Sequence, residues 1–273
     1  MSAQQPPARS PGNGTSRIAR IVLPIVVFAA GLAAWEAVVR IKQIPPYVLP
    51  APSEVFKTLI GDWAVLSRSL LTTLLTTLEG FAAASLGGIA LALLFNQSKW
   101  VEHALFPYAV ILQVTPVIAI APLLLIYLDQ QTAVVVCAFI VAFFPVLANT
   151  TLGLNSVDRN LAGLFQLHGA SRSQTLLFLK LPSALPYILA GLRIAGGLSL
   201  IGAVVAEIAA GNAGAGSGLA YRIVESGYRL NIPRMFAALL LLSIAGIVIY
   251  WLLALTSHIL LRRWHESALG KEN

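Results

Sequence analysis

Six stretches of this chain are each long and apolar enough to cross a lipid bilayer, and they leave little sequence for anything else. A spanning helix needs about 20 apolar residues to cross a hydrocarbon core of about 30 Å. Windows at about 21–39, 70–95, 104–128, 132–152, 184–209 and 236–261 meet that requirement. Only 11% of the residues are charged and 58% are hydrophobic, where soluble domains carry roughly 25% charged residues. The expected fold class is all-α: a polytopic membrane protein with six transmembrane helices. The transmembrane domain covers 17–264, with a tail at 1–16 and another at 265–273.

The remaining composition excludes several functions. A net charge of +7 is no nucleic-acid signature here, because the basic residues are scattered among short loops rather than clustered on one face. The single cysteine, Cys137, falls inside the fourth window and reads as a small buried hydrophobe. His103, His168, His258 and His265 have no metal-ligand spacing, so no metal site is expected. Arg17 and Arg20 precede the first apolar run, and Ala29-Ala30-Gly31 mimics a signal cleavage site. The run nevertheless continues to Val39 with only Glu36 interrupting it, which predicts a retained first span. Residues 1–16, rich in Pro, Ser, Gly and Gln, read as a disordered tail.

Between the first two windows, Pro45-Pro46 and Pro50-Ala51-Pro52 rule out helix, since each proline removes a donor and restrains its predecessor. Ser53 then offers an N-cap to a helix with Val55, Leu59, Trp63 and Leu66 at helical spacing. That helix either lies along the membrane surface or packs as an ordinary loop helix. Span two carries Gly80, Gly87 and Gly88 among alanines, which allows close helix approach in lipid. Span three holds Pro107, Pro116 and Pro122, and span four holds Pro145. Such breaks survive where neighbours or a cavity satisfy the freed carbonyls, which favours a moving or cavity-lining bundle. With both termini cytoplasmic, ten basic residues fall in inside segments and seven in outside ones, with Arg262-Arg263 the firmest marker.

The loop between spans four and five, 155–183, is a polar island with ordered features. Asp158 caps a short helix carrying Leu161, Leu164, Phe165 and His168 on one face, and Gly169 ends it in the left-handed conformation. Ser171 and Gln174 have capping-box spacing, opening a second helix that runs to Leu181, where Pro182 interrupts it. Pro186 then helps start span five. Two helices hinged at a glycine present an apolar knob, or else serve as a plain interhelical linker.

Gly169, nine residues, then Leu179-Lys180-Leu181-Pro182 resembles the cytoplasmic coupling loop of permeases in binding-protein-dependent ATP-binding cassette importers. That loop reads Glu-Ala-Ala, three residues, Gly, nine residues, Ile-x-Leu-Pro. The back half matches in register, whereas Gly163-Leu164-Phe165 stands in the Glu-Ala-Ala place. The run from Ala184 to Arg193 resembles the span that follows this loop in the same family, and the Leu49-Pro50-Ala51-Pro52-Ser53 segment is similar to the nitrate/sulfonate/taurine type. The resemblance implies a homodimer in the bacterial cytoplasmic membrane, a separate ATPase that binds ATP and Mg²⁺, and an external binding protein that delivers a small polar or anionic solute. It assigns ATPase coupling to His168, Gly169, Ala170, Ser171, Arg172, Gln174, Leu179, Leu181 and Pro182, and offers Arg193 and Glu207 as candidates for the translocation path. The chain itself carries no phosphate-cradling Gly-x4-Gly-Lys-Ser/Thr loop, so no cofactor and no catalytic residue are expected in it. The glycine-rich stretch Gly211 to Gly218 lacks the following lysine and reads as a flexible external loop. A secondary transporter or channel also fits six proline-distorted spans, but it predicts internal repeats or paired midplane carboxylates, and neither is evident.

Overall fold

The computed structural model of the chain describes residues 17–211 and 216–262. The tails at 1–16 and 265–273, and part of the glycine-rich loop, lie outside the described residues. Eleven α-helices follow in order among the described residues: α1 (Arg17–Ile41), α2 (Pro52–Gly61), α3 (Trp63–Gln97), α4 (Lys99–Val114), α5 (Val117–Tyr127), α6 (Gln130–Asn155), α7 (Arg159–Leu167), α8 (Arg172–Thr175), α9 (Leu181–Ala210), α10 (Leu219–Tyr228) and α11 (Ile232–Leu261). A π-helical segment, Leu176–Lys180, joins α8 to α9, so the chain is helical without a break from Arg172 to Ala210.

Five of the described helical stretches are long and apolar enough to span a membrane, and the bent pair α4–α5 passes the same test only when its two halves are taken together, as a broken span or a re-entrant loop. The third window is therefore not one straight helix. It turns through 99° at Thr115-Pro116. Pro116 has no amide to continue α4 and forces Thr115 into extended backbone, so α5 starts afresh. Pro107, Pro122 and Pro145 sit inside continuous helices.

Helix α6 is the centre of the bundle, flanked by α3 and α9. Small residues line both crossings: a side-chain carbon added at Gly88 on α3 would come 2.9 Å from Val146, and one at Gly202 on α9 would come 2.8 Å from the Cys137 carbonyl. Lipid supplies no hydrophobic drive between helices, so this close backbone approach is what holds them. Cys137 is indeed fully buried there.

The segment after span one departs from the expectation in two ways. Pro52 opens α2 and Ala51 precedes it, so Ser53 lies inside the helix rather than capping it. The missing cap comes from α1, where the Glu36 carboxylate accepts the Ser53 amide at 3.0 Å and its hydroxyl at 2.8 Å. The helix also ends at Asp62, leaving Trp63 and Leu66 to α3. Of the two readings of this segment, the packed one holds for one face: Val55 and Leu59 pack with Leu66 and with Ala237 and Leu241 of α11, while Phe56 and Ile60 remain exposed. Arg234 Nε donates to Asp62 Oδ2 at 2.6 Å and fixes the α2–α3 junction to the start of α11.

Candidate coupling element and membrane cavities

At one end of the bundle, α7 and α8 form the expected glycine-hinged pair. Asp158 Oδ1 accepts the Asn160 amide at 2.6 Å and starts α7. Gly169 closes it at φ +69°, and the Ala170 amide reaches back to the Phe165 carbonyl at 3.0 Å. This six-residue closure needs a left-handed residue, for which glycine costs least. Ser171 and Gln174 cap each other reciprocally, with amide contacts of 2.8 and 3.2 Å. His168 Nδ1 sits 2.9 Å from the Leu164 carbonyl.

The tip is apolar and open. Leu167 is 86% exposed and Phe178 70% exposed, with Leu161, Leu164 and Leu177 also exposed. His168, Gly169, Ser171, Arg172 and Gln174 share this exposed tip, and Ala170 is half-buried. Leu179 is buried, Leu181 is half-buried and Pro182 is exposed beyond the tip. Lys180 Nζ donates to Asn96 Oδ1 at 3.1 Å and ties the element to the end of α3.

Pro182 does not interrupt the second helix, contrary to the reading from sequence. The Leu181 amide donates to the Leu176 carbonyl five residues back, not four. Widening the turn just ahead of Pro182 lets the helix pass the proline without ending, as single π turns do.

At the opposite end, Glu207 is buried at 2% exposure. Its Oε1 accepts the Thr73 hydroxyl at 2.8 Å and its Oε2 accepts the Ala220 amide at 3.0 Å. Thr73 Oγ1 in turn accepts the Leu219 amide at 2.9 Å. Glu207 and Thr73 thus cap α10 from two other helices. A side chain at Gly218 would overlap the carboxylate, which explains the glycine there. Arg193 lies 14 positions earlier on α9, about 21 Å away at 1.5 Å per residue, so the structure does not bring the two path candidates together. The Arg193 Nε is buried without a hydrogen-bond partner.

Three cavities accompany these elements. One of about 1040 Å³ lies behind the coupling element, between Asp158, Leu161, Leu177, Pro182 and the end of α11. A second, about 380 Å³, is lined by Thr72, Thr76, Asp129, Gln130, Gln131 and Glu207. Asp129 caps α6, and the amide and hydroxyl of Thr132 hold its carboxyl below the usual carboxylate range. The third, about 450 Å³, opens at the α4–α5 elbow against α6 and α9. Gln113 and Thr115 are its only polar side chains, and none of its lining residues is charged. Of the elbow residues, the sequence singles out only the prolines Pro116 and Pro145; Gln113 and Thr115 carry no signal of their own.

Residues 84–264 match the family described as "Binding-protein-dependent transport system inner membrane component". The chain belongs to this permease family. Permeases of this family are the membrane component of ATP-binding cassette importers and not the catalytic subunit. A probable ABC transporter permease protein of Haemophilus influenzae is 33% identical over 86% of this chain and 96% of its own. The riboflavin transport system permease protein of Chloroflexus aurantiacus is 32% identical over 90% of each chain. The taurine transport system permease protein of Escherichia coli is 31% identical, again over 90% of each. These relatives bear out the importer-permease reading and its type. Among solved structures, a crystal structure of an amino acid ABC transporter with histidines aligns at a TM-score of 0.61, covering 74% of this chain and 97% of that one at 20% identity, and shows the same fold.

Proposed function

We propose that two copies of this permease form the membrane unit of an importer in a bacterial cytoplasmic membrane, with both termini cytoplasmic. The tip from His168 to Gln174 docks on a separate ATPase, which binds ATP and Mg²⁺ and hydrolyses the nucleotide. An external binding protein delivers a small polar or anionic solute to the end that bears Glu207. The observation that carries this reading is the exposed apolar tip, capped at both of its helix starts and continuous with a spanning helix through Ala210. Leu161, Leu164, Leu167, Leu177 and Phe178 form an apolar patch of the kind that marks a protein–protein contact. ATP-driven closure of the ATPase pair would move that tip as a rigid body and switch the bundle.

The test is pull-down of the cognate ATPase with wild type and Gly169→Val, alongside ATP-dependent uptake. Gly169→Val should insert normally yet lose ATPase association or coupled uptake. Full association and full uptake by this variant would return the element to a plain linker.

A further inference from the structure

Helix α3 carries a single carboxylate at the depth of the hydrocarbon. Between Arg68 and the end of the helix at Gln97, Glu79 is the only charged residue. It lies about 16 Å along the helix from Arg68, comparable to half of a hydrocarbon core about 30 Å thick. The carboxylates on α1, α4 and α9 are all engaged: Glu36 by Ser53, Glu102 by Lys99, and Glu207 by Thr73 and Ala220. Glu79 is exposed on the single chain and has no hydrogen-bond or ion-pair partner among the described residues.

Lipid is a poor cover for such a group. Carboxylates at membrane depth face a bundle interior or a water-filled cavity, because hydrocarbon solvates no charge. The short stem of glutamate does not carry it to the interface as the long stems of lysine and arginine do. The rest of its face shows where water enters. Thr72, Leu75 and Thr76 precede Glu79 by seven, four and three positions and share its side of α3. All three line the cavity of about 380 Å³ at the Glu207 end, together with Gln130 and Gln131, and no basic residue lines it. Its two acids, Asp129 and Glu207, are held in helix caps. The Thr72 hydroxyl donates to the Arg68 carbonyl at 3.2 Å and the Thr76 hydroxyl to the Thr72 carbonyl at 3.1 Å, so each offers only oxygen lone pairs to the cavity. Beyond Glu79 the same face continues with Ala83, Leu86 and Ala90. Glu79 is therefore the deepest polar group of a face that begins at an open, wet cavity.

We propose that this face of α3 lines the water-filled path of the assembled permease and that Glu79 sets the charge preference of that path, drawing in cationic groups and repelling anions. The inference rests on the importer reading and deepens it, since it removes anions from the small polar or anionic solutes that reading allows. A two-fold pair of permeases brings two such carboxylates to one path, so their fields add.

The experiment uses the full chain with its ATPase in nanodiscs, on a Cys137→Ala background that removes the one buried native thiol. The probes are membrane-impermeant methanethiosulfonate reagents, one cationic and one anionic. Glu79→Cys and Leu75→Cys should both be labelled in the nucleotide-free or the ATP-trapped complex, whereas Ile247→Cys, exposed midway along α11, should not. Leu75→Cys keeps Glu79 one turn away, and there the cationic reagent should react faster than the anionic one. Adding Glu79→Gln should lower that ratio by about tenfold, the effect of one charge about 6 Å away in water on probes of opposite sign. ATPase pull-down should be unchanged in every variant. Glu79→Cys unlabelled in both nucleotide states would mean that lipid or a dry contact with the second copy covers this face, and would overturn the path assignment. A reagent ratio indifferent to Glu79→Gln, or ATP-dependent uptake of nitrate by the wild-type complex with its binding protein, would overturn the charge preference and leave the importer reading standing. Loss of ATPase association in the wild type would overturn the importer reading and the inference with it.

Discussion

Replacing Glu207 by alanine tests whether this buried carboxylate is an architectural cap or a solute ligand. The change removes the acceptor for the Ala220 amide and for the Thr73 hydroxyl. Thr73 keeps an alternative acceptor in the Ser69 carbonyl at 3.2 Å, so the Ala220 amide is the group left stranded. A buried donor without a partner costs about 1–3 kcal/mol, and the lost bond about 1 more, for a total of about 3 kcal/mol. Since 1.4 kcal/mol is a factor of ten, hydrogen exchange at the Leu219 and Ala220 amides should accelerate by about 100-fold. Glu207→Gln keeps an acceptor and should cost about 1 kcal/mol. Thr73→Val should act on the same two amides, and the double variant should fall short of the sum by about 1 kcal/mol because the partners are shared. The assay is exchange mass spectrometry on the purified chain in lipid nanodiscs, with uptake measured in parallel. Unchanged exchange at Ala220 in Glu207→Ala, with uptake abolished, would refute the capping account and restore Glu207 to the path.

Other expectations are briefer. Valine at position 169 should cost roughly 1–2 kcal/mol by disfavouring the left-handed backbone, whereas Ser171→Ala should cost about 1 kcal/mol through the lost cap; ATPase pull-down and exchange over α7–α8 read both. Asp129 is held deprotonated by Thr132, so its contribution is present above the unfolded pKa and lost as pH falls through the lower folded value. Asp129→Asn should therefore flatten the acid side of the thermal-stability profile, and an unchanged profile would exclude that role. The purified chain alone should show no ATP hydrolysis above background in a phosphate-release assay.

Much of this architecture can be read from residues whose effect is local. Helical apolar runs, the left-handed Gly169 and the Ser171–Gln174 box depend on neighbours within five positions, and their geometry follows from the sequence around them. The features that escape reading are set by distant partners. Four prolines fall in the third and fourth windows, yet only Pro116 breaks a helix, because an elbow needs α6 and α9 to shelter its unpaired backbone. Glu207 reads as an intramembrane charge, and its part in capping α10 shows only once Thr73, 134 positions away, is seen beside it. Ser53 likewise reads as a cap until Glu36 takes over the task from another helix. Pro182 reads as a stop because sequence does not reveal the widened turn before it.

The unbroken helix from Arg172 to Ala210 also has a mechanical meaning. Its 39 residues make a connecting rod about 58 Å long. Gly191 sits at its midpoint, where a side-chain carbon would come 2.9 Å from Asn149, and Gly202 further along would meet the Cys137 carbonyl at 2.8 Å, so the rod is locked to α6 over at least three turns. Two helices meshed backbone to backbone over that length have no single pivot between them and move as one piece. A displacement of the exposed tip is then handed to α6 and to the far end together, with no relay of side chains needed between the two ends.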